Sequence, residues 1–416
     1  MQTAPKALRL HIGIFGRTNV GKSSVLNMLA NQDVAITSSV PGTTTDVVEK
    51  SMELLPIGPV NLLDTAGIDD VSLLSEQRIE RTKRALDRSD VVLIVIEPNN
   101  FTHYEEELID FVLNRKLPYI VIINKTDKTP ISDEVLEKLQ NYKSTYVAVS
   151  SVDLANRDKY ITDIKHAIVE KLPDDFITPP PLIGDLIPQQ GLCVLIVPID
   201  LQAPKGRLIL PQVQAIRDIL DASGICVVVK ESEYPLALAT LKRDPDLVVC
   251  DSQVVHKMMA DTPPHIKTTT FSILFSRYKG DLLEEVRGAA SIKHIKPGDK
   301  ILIAEACTHH PTIDDIGRIK IPRWLKNYLG FEPDITIVAG RDFPENIKEY
   351  KLIIHCGSCM LTRNEKIVRI MKAKEARVPI TNYGVAISMT QGVLERALSP
   401  FPEALKIYYE IVNNIS

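Results

Sequence analysis

The sequence has no long apolar run and no large excess of charge. Its longest unbroken apolar segments are about six residues, such as Val91 to Ile96. A bilayer span needs roughly 20, so no membrane insertion is expected. The formal net charge is −4 at pH 7, with 25% of residues charged. That balance speaks against a dominant nucleic-acid surface, which needs clustered Lys and Arg. Met1 to Leu10 has none of the apolar core of a secretory signal, and a cytoplasmic location is the expectation. Cysteines number six in 416 residues, and in the cytosol they are not expected to form a disulfide framework. Cys193, Cys226 and Cys250 lie in or beside apolar runs and read as small buried hydrophobes.

What is present begins with Gly16-Arg17-Thr18-Asn19-Val20-Gly21-Lys22-Ser23, a G-x-x-x-x-G-K-S loop. A strand-like segment, Leu8 to Phe15, precedes it, and a helix-like one, Ser24 to Asn31, follows. A triphosphate needs converging backbone N–H groups; glycines allow the close approach, and a helix N-terminus adds positive partial charge. Gly16, Asn19, Val20, Gly21, Lys22, Ser23 and Ser24 are therefore candidate phosphate contacts. Lys22 is expected to reach the β- and γ-phosphates, and the Ser23 hydroxyl to ligate Mg²⁺.

Three further signals follow in order. The segment Ser38 to Asp46 carries Pro41-Gly42-Thr43-Thr44-Thr45-Asp46, where a threonine closing onto Mg²⁺ and the γ-phosphate would sit; Thr44 is the choice, with Thr43 and Thr45 as alternatives. Val60 to Leu63 reads as a strand ending in Asp64-Thr65-Ala66-Gly67. Asp64 would hold the Mg²⁺ shell through water, and the Gly67 N–H would meet the γ-phosphate. Ile68 follows where a water-positioning glutamine is common, so water orientation falls to another group, with Asp69, Asp70 and Glu76 as candidates. The strand Tyr119 to Ile123 delivers Asn124-Lys125-Thr126-Asp127. The Asp127 carboxylate suits the two donors on the guanine edge, Asn124 ties the loop, and the Lys125 stem packs on the base. Ser150 and Ser151, after the strand Tyr146 to Val149, form the loop expected at guanine O6. The expected cofactors are GTP and Mg²⁺, and Lys22, Thr44 and Gly67 are the expected catalytic residues.

Alternating strands and helices over residues 1–172 describe a doubly wound fold. This part resembles the translation-factor-like GTPases, in the branch of the tRNA-modification and Era-like proteins. The likeness rests on Asn19, on Pro41 to Asp46, and on Ile68 after the D-T-A-G motif. It implies that Asn19 ligates a K⁺ ion that takes the place of an arginine finger.

Pro173, Pro179, Pro180, Pro181 and Pro188 mark residues 173–190 as a linker, since proline neither continues a helix nor donates to a ladder. Residues 191–272 then alternate strand and helix with no nucleotide motif, as expected of an interaction or dimerisation domain. Residues 273–416 continue the alternation. The expected fold is thus α/β throughout: a P-loop GTPase domain followed by two further α/β domains with mainly parallel sheets.

The last domain carries chemistry at two strand ends. Lys300 to Ala304 leads to Cys307-Thr308-His309-His310, and Lys351 to Ile354 leads to His355-Cys356-Gly357-Ser358-Cys359. In open α/β sheets ligands bind at that edge. If the two strands are neighbours, Cys307, Cys356 and Cys359 make a three-thiolate face. That face suits a Cys₃His zinc site, a 4Fe–4S cluster with one open iron, or a redox pair; a buried structural trio is the fourth alternative.

The order GTPase domain, motif-free domain, then C-x-H and H-C-x-x-C resembles the HydF family of FeFe-hydrogenase maturation GTPases over essentially the whole chain. The resemblance implies that the middle domain forms a homodimer and that Cys307, Cys356 and Cys359 hold a 4Fe–4S cluster. His309 and His355 are then fourth ligands or outer partners. It further implies a scaffold that accepts a two-iron precursor from radical-SAM maturases and passes it to apo FeFe-hydrogenase, with no membrane or nucleic-acid partner. A different reading is an RNA- or ribosome-associated GTPase with a structural zinc.

Overall fold

The computed structural model describes residues 9–30, 48–64, 82–172, 180–198, 208–306, 315–340, 343–344, 346–357 and 361–413. The chain forms two compact units, Met1–Pro179 and Pro180–Ser416, and each is described by itself.

The first unit is built on six strands: β1 (Leu10–Phe15), β2 (Val48–Leu54), β3 (Gly58–Asp64), β4 (Val91–Ile96), β5 (Tyr119–Ile123) and β6 (Tyr146–Ala148). Their order is β2-β3-β1-β4-β5-β6. All pairings are parallel except β2 with β3. β1, β4 and β5 are buried along their whole length and apolar but for His11 in β1, as suits strands covered on both faces. Alternation divides their side chains between two cores. Ile12, Leu93 and Ile122 pack on one face, and Phe15, Ile94 and Ile123 on the other. Helices α1 (Lys22–Ala30), α2 (His103–Asn114), α3 (Asp133–Asn141) and α4 (Arg157–Lys171) cover the sheet. The hairpin partner β2, Val-Glu-Lys-Ser-Met-Glu-Leu, carries no apolar run. Antiparallel edge pairing with β3 holds it, a signal absent from its own composition.

The second unit contains two four-stranded parallel sheets. The first is formed by β7 (Leu192–Ile196), β8 (Ile225–Val229), β9 (Leu247–Cys250) and β10 (Lys267–Thr270), in the order β10-β9-β7-β8. The second is formed by β11 (Lys300–Glu305), β12 (Asp334–Ala339), β13 (Leu352–His355) and β14 (Ile380–Asn382), in the order β12-β11-β13-β14. Helices α5 (Leu210–Asp221), α6 (Tyr234–Thr240) and α7 (Val255–Asp261) alternate with the strands of the first sheet, and α8 (Phe271–Lys279) and α9 (Leu282–Ala290) lead from β10 to β11. Beyond β11 lie α10 (Ile321–Leu329), α11 (Arg363–Ala376), α12 (Tyr383–Thr390), α13 (Leu394–Ala397) and α14 (Pro402–Val412).

One apolar core joins both sheets: Val194 and Val249 of the first share it with Ile303 and Ile354 of the second, and Leu274, Val286 and Ile387 fill it from the helices. The boundary expected between residues 272 and 273 falls inside this core. Thr270, the last residue of β10, caps α8 by accepting from the Ile273 N–H at 3.2 Å, so the chain passes directly from β10 into α8. Residues expected in the 173–190 linker are also packed here: Leu182 and Ile183 are buried. The Ile183 and Gly184 N–H groups donate to Asp218 on α5 at 2.8 and 2.7 Å. Proline content marked the break, but the side chains between the prolines belong to the second unit's core.

Cys193 and Cys250 are fully buried and Cys226 half-buried. Burial pushes the Cys226 thiol up to about 11 and raises the other two further above the usual thiol range. All three read as inert packing groups. The edge strand β8 differs from its neighbours: Ile225 and Val228 are exposed, whereas β7 and β9 are buried along their length.

Candidate functional site

The chain from β1 turns at Gly16 and Gly21, both with left-handed φ (143° and 97°). A Cβ on Gly16 would lie 2.2 Å from the Val95 carbonyl oxygen, and one on Gly21 2.2 Å from Asn124 Nδ2. Both positions therefore exclude a side chain on two grounds. Asn19 also has positive φ, 66°, which asparagine tolerates better than most residues.

Asn124 is the clasp of this region. It is 1% exposed. Its Nδ2 donates to the Val20 carbonyl at 3.0 Å, and its Oδ1 accepts from the Ser151 N–H at 3.0 Å. The loops after β1, β5 and β6 are thereby fixed to one another. Lys125 Nζ donates to the Asn19 carbonyl at 2.5 Å and pairs with Glu97 at 2.6 Å, so its stem runs beside the loop. The Ser150 hydroxyl donates to Asp127 Oδ1 at 2.7 Å, aligning that carboxylate. Lys22 is buried, and its Nζ donates to the Gly16 and Arg17 carbonyls at 2.7 and 2.9 Å.

These groups border one cavity of about 460 Å³, lined by Asn19, Gly21, Lys22, Ser23, Ser24, Asn124, Lys125, Asp127 and Ser151 among others. Its size is that of a small-molecule site. The lining brings Gly21, Lys22, Ser23 and Ser24 together with the Asp127 carboxylate and Ser151. Gly16, Val20 and Ser150 join through the bonds given above. Asp64 ends β3, in register with Ile14 of β1. Thr44 and Gly67 lie outside the described residues, as do Asp69, Asp70 and Glu76.

One support was not foreseen. Arg17 Nε donates to Glu105 Oε1 at 2.6 Å, and its Nη2 to the Asn100 carbonyl at 3.0 Å. Glu105 is fully buried and completes a capping box with Thr102 at the start of α2. The capping pattern Thr102 to Glu105 is visible in the sequence; its link to Arg17, 88 positions away, is not.

In the second unit, β11 and β13 are neighbours, with Ala304 opposite His355. The two cysteine segments therefore leave the sheet side by side. The Cys356 N–H donates to the Ala304 carbonyl at 3.0 Å, and the Ala306 N–H donates to Cys356 Sγ at 3.2 Å. Ala306 directly precedes Cys307. Cys307, Cys359, His309 and His310 lie outside the described residues, and no three-residue metal-ligating group occurs among those described. His355 is fully buried. Its Nδ1 donates to the Cys356 carbonyl at 2.8 Å, and its Nε2 faces Glu285 at 3.2 Å.

Glu285, on α9, is fully buried. It accepts from Lys366 Nζ at 2.8 Å, from the Ser276 hydroxyl at 2.5 Å and from Asn382 Nδ2. Burial alone would raise its pKa; Lys366 and the His355 contact outweigh that and hold the carboxyl well below the usual range. Burial, helped by Lys366 and Arg369, lowers the His355 pKa against the pull of Glu285.

Residues 11–125 match the family described as 50S ribosome-binding GTPase. Residues 182–280 match the hydrogen maturase F dimerization domain, and residues 283–400 the hydrogen maturase F tetramerization domain. The chain belongs to the hydrogen maturase F family. As a member it carries a GTP-hydrolysing domain and two domains that support oligomerisation. The first domain is also 36% identical over 160 residues to the tRNA modification GTPase MnmE of Caldicellulosiruptor saccharolyticus, covering 38% of this chain and 34% of that protein. It is 37% identical over 146 residues to MnmE of Mycoplasma mycoides subsp. mycoides, covering 35% and 31%. The chain thus spans about a third of the length of these curated relatives. Among solved structures, the G domain of the T. maritima FeoB iron transporter is similar at 22% identity and a TM-score of 0.31, covering 39% of this chain and 98% of that one.

Asn124→Ala would leave the Val20 carbonyl and the Ser151 N–H without their buried partner, each costing about 1–3 kcal/mol. Titration with a fluorescent guanine nucleotide should show affinity falling by roughly 10- to 100-fold. Unchanged affinity would remove Asn124 from the role of clasp.

Proposed function

We propose that this hydrogen maturase F chain is a GTP-hydrolysing scaffold and carrier for assembly of the FeFe-hydrogenase active-site cluster. In this reading it takes a two-iron precursor from radical-SAM maturases and delivers it to apo-hydrogenase. It works as a homodimer in the cytoplasm. Among the described residues no helix is long and apolar enough to cross a membrane.

The observation that supports it best is the Ala306 N–H to Cys356 Sγ bond at 3.2 Å. It brings the chain position before Cys307 against the second cysteine, so both halves of the motif leave one sheet edge together. Cys356 is partly buried. Cys307, Cys356 and Cys359 would hold a 4Fe–4S cluster, which supplies iron with one open coordination position.

At the nucleotide site, Lys22 would trade its two loop carbonyls for β- and γ-phosphate oxygens. Ser23, at the first turn of α1, would ligate Mg²⁺, with Asp64 in its outer shell and Thr44 and Gly67 closing on the γ-phosphate. Asn19 would hold K⁺ against the phosphates; its positive φ and its carbonyl's bond to Lys125 fix it at the cavity wall. The phosphate charge that develops on hydrolysis is then met by cations rather than by a side-chain guanidinium.

The strand β8 is proposed as the dimer contact, because it lies at the edge of its sheet among the described residues and carries the exposed Ile225 and Val228. A two-fold axis would pair it with its own copy in antiparallel register.

Three measurements test these readings. Anaerobically reconstituted protein should hold about four irons and four sulfides per chain, lost in Cys307→Ala; stoichiometric zinc without iron would instead favour the RNA-associated reading suggested by the ribosome-binding GTPase match. GTP hydrolysis should run at least tenfold faster in K⁺ than in Na⁺ and lose that difference in Asn19→Ala; equal rates would dismiss the K⁺ site. Val228→Lys should convert dimer to monomer in light scattering, and an unaltered mass would exclude β8 as the contact.

A further inference from the structure

A fully buried carboxylate is costly unless every lone pair is met. Glu285 accepts from Ser276 on α8, Lys366 on α11 and Asn382 at the end of β14, and faces the ring of His355 at the end of β13. The space around the ion pair is closed. A Cβ on Gly280 would lie 2.8 Å from Lys366 Nζ and 2.9 Å from Glu285 Oε1. Apolar residues could be buried here at lower cost.

What distinguishes this cluster is where it ends. His355 turns one ring nitrogen to Glu285 and the other to the Cys356 carbonyl. Cys356 is then held at three atoms: its N–H by Ala304, its carbonyl by His355 and its sulfur by the Ala306 N–H. The first and third holds come from β11. The second comes from Glu285 through His355.

We propose that Glu285 is a positioning residue for the cysteine site, acting through His355 on the main chain at Cys356. His355 in this arrangement orients the thiolate-bearing turn and is not itself a metal ligand. Lys366 keeps Glu285 ionised and in place. The proposal rests on the reading that Cys356 ligates a cluster. Partners of this outer kind commonly change metal affinity by about 10- to 100-fold when removed.

The test is the rate at which anaerobically reconstituted full-length protein loses iron to a ferrous chelator, read beside the melting temperature. Glu285→Gln alone strands the Lys366 charge and risks misfolding, so the working variant is the pair Glu285→Gln with Lys366→Met, compared with His355→Asn. Each is expected to fold, take up iron and release it roughly 10- to 100-fold faster than the unsubstituted protein. Combining them is expected to add no further acceleration, because both changes break the same path to Cys356. Rates equal to the unsubstituted protein, or accelerations that multiply on combination, would overturn the proposal while leaving the cluster reading intact. Unsubstituted protein that takes up no iron would overturn both.

Discussion

Strands that run parallel cannot be joined by a tight turn; the chain must return across a sheet face, usually as a helix. Among the described residues every strand pairing but β2 with β3 obeys this geometry. Two things follow. Both faces of the sheets are covered, so strands such as Val91–Ile96 and Leu192–Ile196 can be apolar throughout. The carboxyl ends of the strands also gather along one edge, where loops leave with free backbone groups. The phosphate loop, the Asn124–Asp127 turn and the Ser150–Ser151 turn all leave that edge in one unit. The segments carrying Cys307 and Cys356 leave it in the other. The chemistry sits where it does because of how the chain has to return.

An edge crowded with loops is not yet a site, because loops need to be held. Each unit solves this with one buried polar side chain. Asn124 does it with two neutral hydrogen bonds, to the Val20 carbonyl and the Ser151 N–H. Glu285 does it with a charge, three donors and the facing ring of His355. The difference matters energetically. A neutral amide that loses a partner costs about 1–3 kcal/mol, whereas a buried ion pair that loses one member costs about 3–5 kcal/mol. The cysteine turn is therefore held by the more demanding arrangement of the two.

The legible parts of the chain were those with local signals. Gly16 to Ser23, Asn124 to Asp127 and the Cys356–Cys359 spacing are each readable within ten residues, and the apolar runs mark the central strands. β2 was not readable, because Val48–Leu54 owes its strand to pairing with β3 rather than to its own residues. The Arg17 to Glu105 bond and the Glu285 cluster were hidden for a related reason. Glu285 meets His355 and Asn382 from 70 and 97 positions away, and nothing in the surrounding sequence marks it as more than an ordinary helical glutamate. Thr44, Gly67, Cys307, Cys359 and His309 stay as sequence expectations, since they fall outside the described residues.

The division of the second unit follows the same logic. Composition suggested a break near residue 272, and the two oligomerisation matches do meet between residues 280 and 283. Physically there is no seam. Thr270 caps α8 directly, and Arg396, on α13, donates to the Met259 carbonyl at 2.6 Å and the Pro263 carbonyl at 2.8 Å, closing the C-terminal half onto the first sheet. Glu285 draws on both sides, taking Ser276 from α8 and Asn382 from β14. A close-packed interior of this kind does not let one element shift alone. The turn at Cys356 and the helices beside the first sheet are therefore parts of one packed body. His355, which precedes that turn, meets α9 at Glu285, Glu285 meets α8 at Ser276, and α8 packs in the core that holds the first sheet.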